Sequence, residues 1–332
     1  MTRPLRNHIA DHFSKEELRS LCFDLGIDYE NFPELKDGLI RELIRYCHRH
    51  RRLDDMLDAL AARRPQVDWP LPMSLAEALD ETIEPVSIYE PATVIVPAGP
   101  FLMGSPPDSS VPAAECPQHT VNLPAFRIGL YPVTNDQFQE FVRQTGHIVA
   151  PEMGWNGQAA PADRLSHPAT GVTFFEALTY CRWLSAYSGR NYSLPTEAEW
   201  EKAARSNDGR RYPWGDDWQP DRCHHGSGET HPVDGYESQS IYGCFDMVGN
   251  AREWTRSIWG QARREPDDRY RYPWRDDARN DPEAGQHLRR VYRGGSAAEA
   301  PDRLRCAARN GYAPDRCGPP GHRHGFRVAL YI

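Results

Sequence analysis

The residues of this chain best suited to soft-ligand or redox chemistry are its eight cysteines, at positions 22, 47, 116, 181, 223, 244, 306 and 317. They stand singly. No two form a CxxC pair, so the spacing writes neither a zinc cluster nor a dithiol motif. Histidines are the second candidates: His8, His12, His48 and His50 fall in the N-terminal stretch, and His8 and His12 lie four apart, which puts two side chains on one face of a helix. That face suits metal ligation, and solvated surface histidines account for the same pattern. The third is the stretch Gly249-Asn-Ala-Arg-Glu-Trp254, where Asn250 and Glu253 offer oxygens of the kind a hard cation takes. Asn250 equally suits hydrogen bonds that hold a loop with no metal.

The chain that must position these groups has 332 residues, enough for one large domain and a small one. Hydrophobic residues make up 39%, with 29 Pro and 25 Gly, which points to a loop-rich fold; 9 Trp and 15 Tyr supply the area for its core. The net charge of −8 leaves no basic footprint, so nucleic acid is not an expected partner. No run approaches 18 uninterrupted apolar residues, so no membrane span is expected. The opening MTRPLRNHIADHF has no apolar core of a secretory leader, which favours a cytoplasmic protein with reduced thiols.

Residues 1–64 read as a small all-α bundle. Ser14-Lys-Glu-Glu17 has the form of a capping box, and Leu18, Leu21, Cys22 and Leu25 follow at helical spacing. Leu39, Leu43, Ile44 and Cys47 form a second amphipathic run; Leu53, Met56, Leu57 and Leu60 form a third. Residues 65–91 are rich in proline and acid, the composition of a linker. From Ala92 onward short β-type runs alternate with two helical ones. Asn135 to Gln144 turns Phe138, Phe141 and Val142 inward, and Thr173 to Ser188 does so with Ala177, Leu178, Cys181 and Leu184. Thr196 is placed to cap a helix whose first turn carries Glu197 and Glu199. Gly249, Gly294 and Gly295 suit backbone positions that other residues would strain, and Trp200, Trp214 and Trp254 are expected core. The fold class is therefore α+β over 92–332.

The phrases GPFLMGS (99–105), YPVTNDQFQEFVRQTGH (131–147), HPATGVTFFEALTYCRWLS (167–185), YSLPTEAEWEKAAR (192–205), YPWGD (212–216), YGCFDMVGNAREWT (242–255), RVYRGGS (290–296) and GFRVAL (325–330) occur in order. On these, residues 92–332 resemble the formylglycine-generating enzyme or sulfatase-modifying-factor family, which implies a C-type-lectin-like fold. LCFDLGIDYENFP and RELIRYCHRHRRL resemble bacterial effector-associated domains, which are death-like bundles. This resemblance implies an adaptor recruiting an effector protein through like-with-like contacts; a helical oligomerisation or capping domain is the alternative.

The catalytic wording of the enzymes is missing. They carry two cysteines after RGGS, the first three residues beyond the serine, and handle copper and oxygen there. Here Glu299 stands at the first position, and the shorter stretch before Cys306 leaves the second without a counterpart. Without a thiolate pair there is no soft ligand set for Cu(I), so the chain is expected not to be an enzyme of that kind. The motif of the iron-dependent sulfoxide-synthase branch is also absent. The family's calcium would fall to Asn250 and Glu253, with Arg252 standing in for the loop's aromatic residue.

Residues 293–327 also resemble the variable region of retroelement-diversified proteins of bacteria and phage. There a fixed frame, here RGGS, Leu304, Arg305, Arg309, Pro314-Asp315 and Gly325-Phe-Arg327, carries positions that vary and bind a ligand. The likeness implies a binding surface within 297–324 at Ala298, Glu299, Ala300, Asn310, Gly311, Tyr312, Ala313, Arg316 and Cys317, facing a protein ligand. Ala297 replaces the tryptophan usual after RGGS, and the loop from Cys317 to His324 is about two residues longer than usual. The alternative is a structural or regulatory module that docks a protein of its own operon.

Overall fold

Among the residues that the computed structural model describes (5–29, 36–50, 52–70, 89–107 and 111–331), four helices make up the N-terminal unit, Met1–Ile83. They are α1 (Leu5–His12), α2 (Lys15–Asp24), α3 (Lys36–Arg49) and α4 (Leu53–Arg63). The capping box starts α2: Glu17 N donates to Ser14 Oγ at 3.2 Å, and Ser14 N donates to the Glu17 carboxylate at 2.8 Å. That backbone bond, with Arg64 beside it, holds the Glu17 carboxyl down at about 2. Leu18, Leu21, Cys22, Leu39, Leu43, Ile44, Cys47, Met56 and Leu60 close the core; Leu25 and Leu53 lie half-buried at its margin.

His8 and His12 do share a helix face. Their rings stack 6.5 Å apart and both lie against Trp69, whose indole N–H donates to Arg64 O at 3.3 Å. The face is an aromatic seat, and the packing of Trp69 carries this unit past Arg64. Residues 71–88, most of the proline- and acid-rich stretch, lie outside the described residues.

The C-terminal unit, Glu84–Ile332, has three sheets and three helices among its described residues. β1 (Thr93–Val96), β4 (Phe126–Gly129), β10 (Ala329–Tyr331) and β5 (Asn191–Ser193) pair antiparallel in that order; β2 (Gly99–Met103) and β3 (His119–Leu123) form a hairpin. The third sheet runs β8 (Arg309–Tyr312), β7 (Arg289–Arg293), β6 (Arg252–Gly260), β9 (His324–Phe326), with β6 and β9 parallel.

Helices α5 (Asn135–Thr145), α6 (Phe174–Ser188) and α7 (Glu197–Arg205) each begin with a capping box, set by Thr134, Thr173 and Thr196 respectively. α5 and α6 end on Gly146 and Gly189 in the left-handed region, where a side chain would cost energy. The expected inward residues of both helices are buried. So are Trp200 and Trp254, but Trp214 is a correction: it is half-exposed and stacks on Tyr212 at 5.6 Å. Gly249 (φ 83°) earns its place sterically as well, because a Cβ would meet His224 O at 2.5 Å.

Helix α7 is buried on every side, although it carries Glu197, Glu199, Glu201, Lys202 and Arg205. Its charges are matched by strand arginines. Glu197 pairs with Arg309 at 2.8 Å, and Glu201 takes both Arg205, at 2.7 Å, and Arg293. One strand over, Glu253 is held by Arg327 at 2.6 Å and by the Trp200 indole N–H at 2.7 Å. Burial alone would raise the Glu201 carboxyl; Arg293, Arg205 and the N–H of Gly104 outweigh it and hold it below its ordinary range.

Two outcomes follow from this polar core. Removing one partner of a buried ion pair leaves a stranded charge and costs about 3–5 kcal/mol. Arg327→Ala should therefore lose that much in urea unfolding. The Glu201 carboxyl has a depressed folded value, so its contribution is complete above the ordinary carboxylate value of 4.5 and is lost as pH falls through the lower folded one. Urea midpoints measured on acidification below that value should drop more steeply for the wild type than for Glu201→Gln.

Candidate functional site

Register in the third sheet sorts its residues into two rows. Glu253, Val291, Arg293, Arg309 and Gly311 form one buried row, from which Glu253, Arg293 and Arg309 bond to α7. The opposite row holds Arg252, Trp254, Tyr292, Asn310, Tyr312 and His324. His324 is fully buried inside an aromatic cage, 4.4 Å from Trp254 and 4.8 Å from both Tyr292 and Tyr312 between ring centres. Burial, then the charge of Arg252, pushes its pKa well below the ordinary histidine range, so it is neutral.

Arg252 is the hub of the outer row. Its guanidinium lies 4.9 Å above the Tyr292 ring and binds Glu299 through two nitrogens, with Nε at 2.9 Å. His322 Nδ1 sits 3.2 Å from the same guanidinium and 2.9 Å from Ser296 Oγ. The two departures from the enzymes' wording, Glu299 at the first cysteine position and Arg252 at the loop aromatic, thus touch each other. An ion pair occupies the place of a thiol. Cys306 cannot replace it: it is fully buried, and burial pushes its thiol to about 12. All eight cysteines are free thiols.

Asn250 and Glu253 are a correction. Asn250 Oδ1 accepts from His231 N at 2.9 Å, while its Nδ2 donates to His231 O at 3.0 Å and to Asp246 Oδ2 at 2.8 Å. Both Glu253 oxygens are bound by Arg327, one of them also by Trp200. The Glu253 carboxylate is thus engaged by a cation of the chain itself, and Asn250 ties its loop to the His231 backbone, so the two side chains serve separate protein partners. Among the described residues, no group of three His, Cys, Asp or Glu side chains is placed to hold a metal.

Of the nine positions expected to form a binding surface, Ala300 and Arg316 are exposed, and Ala298, Asn310, Tyr312 and Ala313 are half-buried. Three differ from expectation. Glu299 is engaged by Arg252, with its side chain 14% exposed. Gly311 lies inward on β8, where a Cβ would strike the Trp259 ring at 2.1 Å. Cys317 is buried, and its carbonyl accepts from His324 N at 2.7 Å. The 309–312 run is a strand, so alternate residues turn away from solvent; a loop-like reading of it hides that period.

Two clefts adjoin the segment 297–324. One of about 490 Å³ takes Ala297, Pro320 and Arg323 from the segment, with Trp155, Asp163 and Thr230 among its other walls. The Arg164–Glu229 ion pair, at 2.8 Å, joins two of those walls; with side chains 45% and 71% exposed, it holds them weakly. The other, of about 270 Å³, takes Glu299, Arg303 and Asn310 from the segment and Arg252 and Tyr292 from the sheet. Apart from Asn250, the walls of the larger cleft outside the segment are not singled out from sequence, because nothing in local spacing joins positions 155, 163 and 230.

A loop-rich α+β scaffold with this frame of buried glutamate–arginine pairs defines a class: a formylglycine-generating-type domain. The chain belongs to the sulfatase-modifying factor enzyme family, since residues 80–332 match the Sulfatase-modifying factor enzyme 1-like domain; residues 5–65 match Effector-associated domain 7. Among its relatives, the mouse inactive C-alpha-formylglycine-generating enzyme 2 is 31% identical over 298 residues, covering 72% of this chain and 86% of that protein. Hercynine oxygenase of Mycolicibacterium smegmatis is 31% identical over 330 residues, covering 86% and 71%. Serine/threonine-protein kinase Pkn1 of Chlamydia trachomatis is 31% identical over 301 residues, which are 82% of this chain; the chain spans only 42% of Pkn1. The solved structure of PvdO from Pseudomonas aeruginosa is similar at a TM-score of 0.60 and 25% identity, covering 76% of this chain and 98% of that one. Treponema denticola variable protein 1 shares the fold at a TM-score of 0.54 and 22% identity, with the same coverages.

The inward glycine gives a direct check on the strand reading. Gly311→Ala must displace Trp259 and should cost about 1–3 kcal/mol, as overpacking of a core does. Ala300→Ser, at an exposed position, should stay within about 0.5 kcal/mol. Thermal melts of both variants measure the contrast.

Proposed function

We infer that this protein is a non-enzymatic ligand-binding protein. Its C-terminal domain displays the segment 297–324 to a protein ligand in the manner of a retroelement-diversified variable protein, and its effector-associated domain recruits a signalling or defence effector in the cytoplasm. The observation that carries the reading is the Arg252–Glu299 pair, set where the enzymes of the family keep a cysteine. A carboxylate held by a guanidinium neither cycles between oxidation states nor binds Cu(I) as a thiolate does. The likeness to an inactive formylglycine-generating homologue and to a variable protein supports the same side, while hercynine oxygenase shows that the family also contains enzymes. The segment lines both clefts and carries exposed Ala300 and Arg316, which suits display.

Two measurements test it. Incubation with copper, a thiol reductant and a sulfatase-type CxPxR peptide should yield no aldehyde above a control without protein; turnover overturns the non-enzymatic reading. The double variant Ala300→Arg, Arg316→Glu should melt like the wild type, since surface changes commonly cost within about 0.5 kcal/mol each. It should fail to retain the protein that the wild type captures from cells of the source organism. Retention by a folded double variant places the binding face elsewhere.

A further inference from the structure

The smaller cleft has a chemical bias that display alone does not require. Its carboxylates and its buried arginines are already in use, while a few of its donors are not. The acceptors are two carboxylates: Glu299 is bound by Arg252, and Glu115 by Arg305 at 2.6 Å. Among the donors, Arg303 reaches in from the turn at 301–303 with its side chain 59% exposed; the nearest carboxylate is that of Asp302, 3.8 Å away and 70% exposed. So open and loose a pair adds little and yields readily. The Tyr292 hydroxyl and the Asn310 side-chain NH₂ have no partner among the described residues. The amide orientation is fixed by chemistry: Gly311 N donates to Asn310 Oδ1 at 2.7 Å, which leaves the NH₂ end of the amide to the cleft side. Arg293 and Arg309 border the cleft too, but their guanidinium groups are buried on the other face of the sheet, held by Glu201 and Glu197.

The geometry points to this cleft as a receptor for a carboxylate carried by a peptide, gripped by Arg303 and Asn310 beside the Arg252–Glu299 pair. The claim rests on the reading that segment 297–324 faces a protein ligand, and it names what that ligand must present. A volume of about 270 Å³ admits a side chain or a chain end, not a whole cofactor. Charge-assisted hydrogen bonds from guanidinium to carboxylate are the strong ones, and the cleft already contains an example in Glu299, held by Arg252 within the same chain. That internal carboxylate lowers the local positive potential and competes with an incoming one for Arg252. The overall charge of −8 repels anions at long range, so selectivity for a carboxylate would arise from this local array.

The experiment titrates full-length protein with N-acetyl-glycylglycine, which offers a chain-terminal carboxylate, and with N-acetyl-glutamate amide, which offers a side-chain one. N-acetyl-glutamine amide and inorganic phosphate serve as rivals. Calorimetry or NMR shifts read the affinity. At least one carboxylate should bind and the glutamine compound should not; which of the two wins identifies the source. Arg303→Ala, a change at an exposed side chain, should weaken binding about tenfold, as loss of a charge-assisted bond does. Glu299→Gln, which removes the competitor but keeps a hydrogen-bonding group near Arg252, should strengthen it severalfold. Equal binding by Arg303→Ala, equal binding of the glutamine compound, or binding of phosphate in place of both carboxylates overturns the assignment. If no carboxylate binds while the Ala300→Arg, Arg316→Glu variant still loses its protein partner, the cleft assignment fails and the display surface stands. If a carboxylate binds and that variant keeps its partner, the reverse holds.

Discussion

The C-terminal unit depends on matching buried glutamates to buried arginines across its middle. An α-helix normally turns its charges to water, yet α7 keeps Glu197, Glu199 and Glu201 inside. A carboxylate without water is tolerable only beside a cation and hydrogen-bond donors. Arg293 and Arg309, on neighbouring strands, supply that for Glu201 and Glu197, and Arg327 supplies it for Glu253. Because every guanidinium must meet a carboxylate at a set distance, the helix and the sheet share one register. The carbonyls of Cys306, Ala307 and Ala308 accept from the second arm of Arg293, so the same clamp reaches the loop that leads into β8.

That clamp explains how a loop-rich chain can hold exposed positions such as Ala300 and Arg316 on an ordered frame. The inward row of the third sheet belongs to the core, and the opposite row runs from the core out to the surface. The outward row is itself graded. Trp254 and His324 sit deep, Tyr292 and Tyr312 at mid-depth against His324, and Arg252 joins Glu299 toward the surface. The side chains of this row are thus mounted on strands and short turns rather than on loose loops, so their positions are largely ordered before any contact with another molecule.

Local chemistry was legible from the sequence, and long-range pairing was not. Ser14 and Thr196 announce helix starts because a cap and its third residue are neighbours in the chain, and both capping boxes form. The inward faces of α5 and α6 follow from a period of 3.6. The acids of α7 look like a solvated first turn, because Arg293 and Arg309 lie about a hundred residues away. Glu299 shows the same limit: as a single letter it marks a lost catalytic position, and its bond to Arg252, 47 residues distant, exists only in the fold. Gly311 was taken for a surface residue because a glycine has no side chain to betray which way it faces; the indole of Trp259 filling the space beside it settles the matter.

The contact between Arg252 and Glu299 also bears on the history open to this chain. Both side chains are largely shielded, at 12% and 14% exposed, so each makes the other tolerable. A codon change that restored a cysteine at 299 would strand a guanidinium; one that restored an aromatic ring at 252 would strand a carboxylate. Either single change leaves one member of a shielded ion pair without its partner, the costly kind of loss. Positions 252 and 299 are therefore coupled, much as a ratchet tooth is coupled to its pawl, and substitutions that keep the fold must change them together.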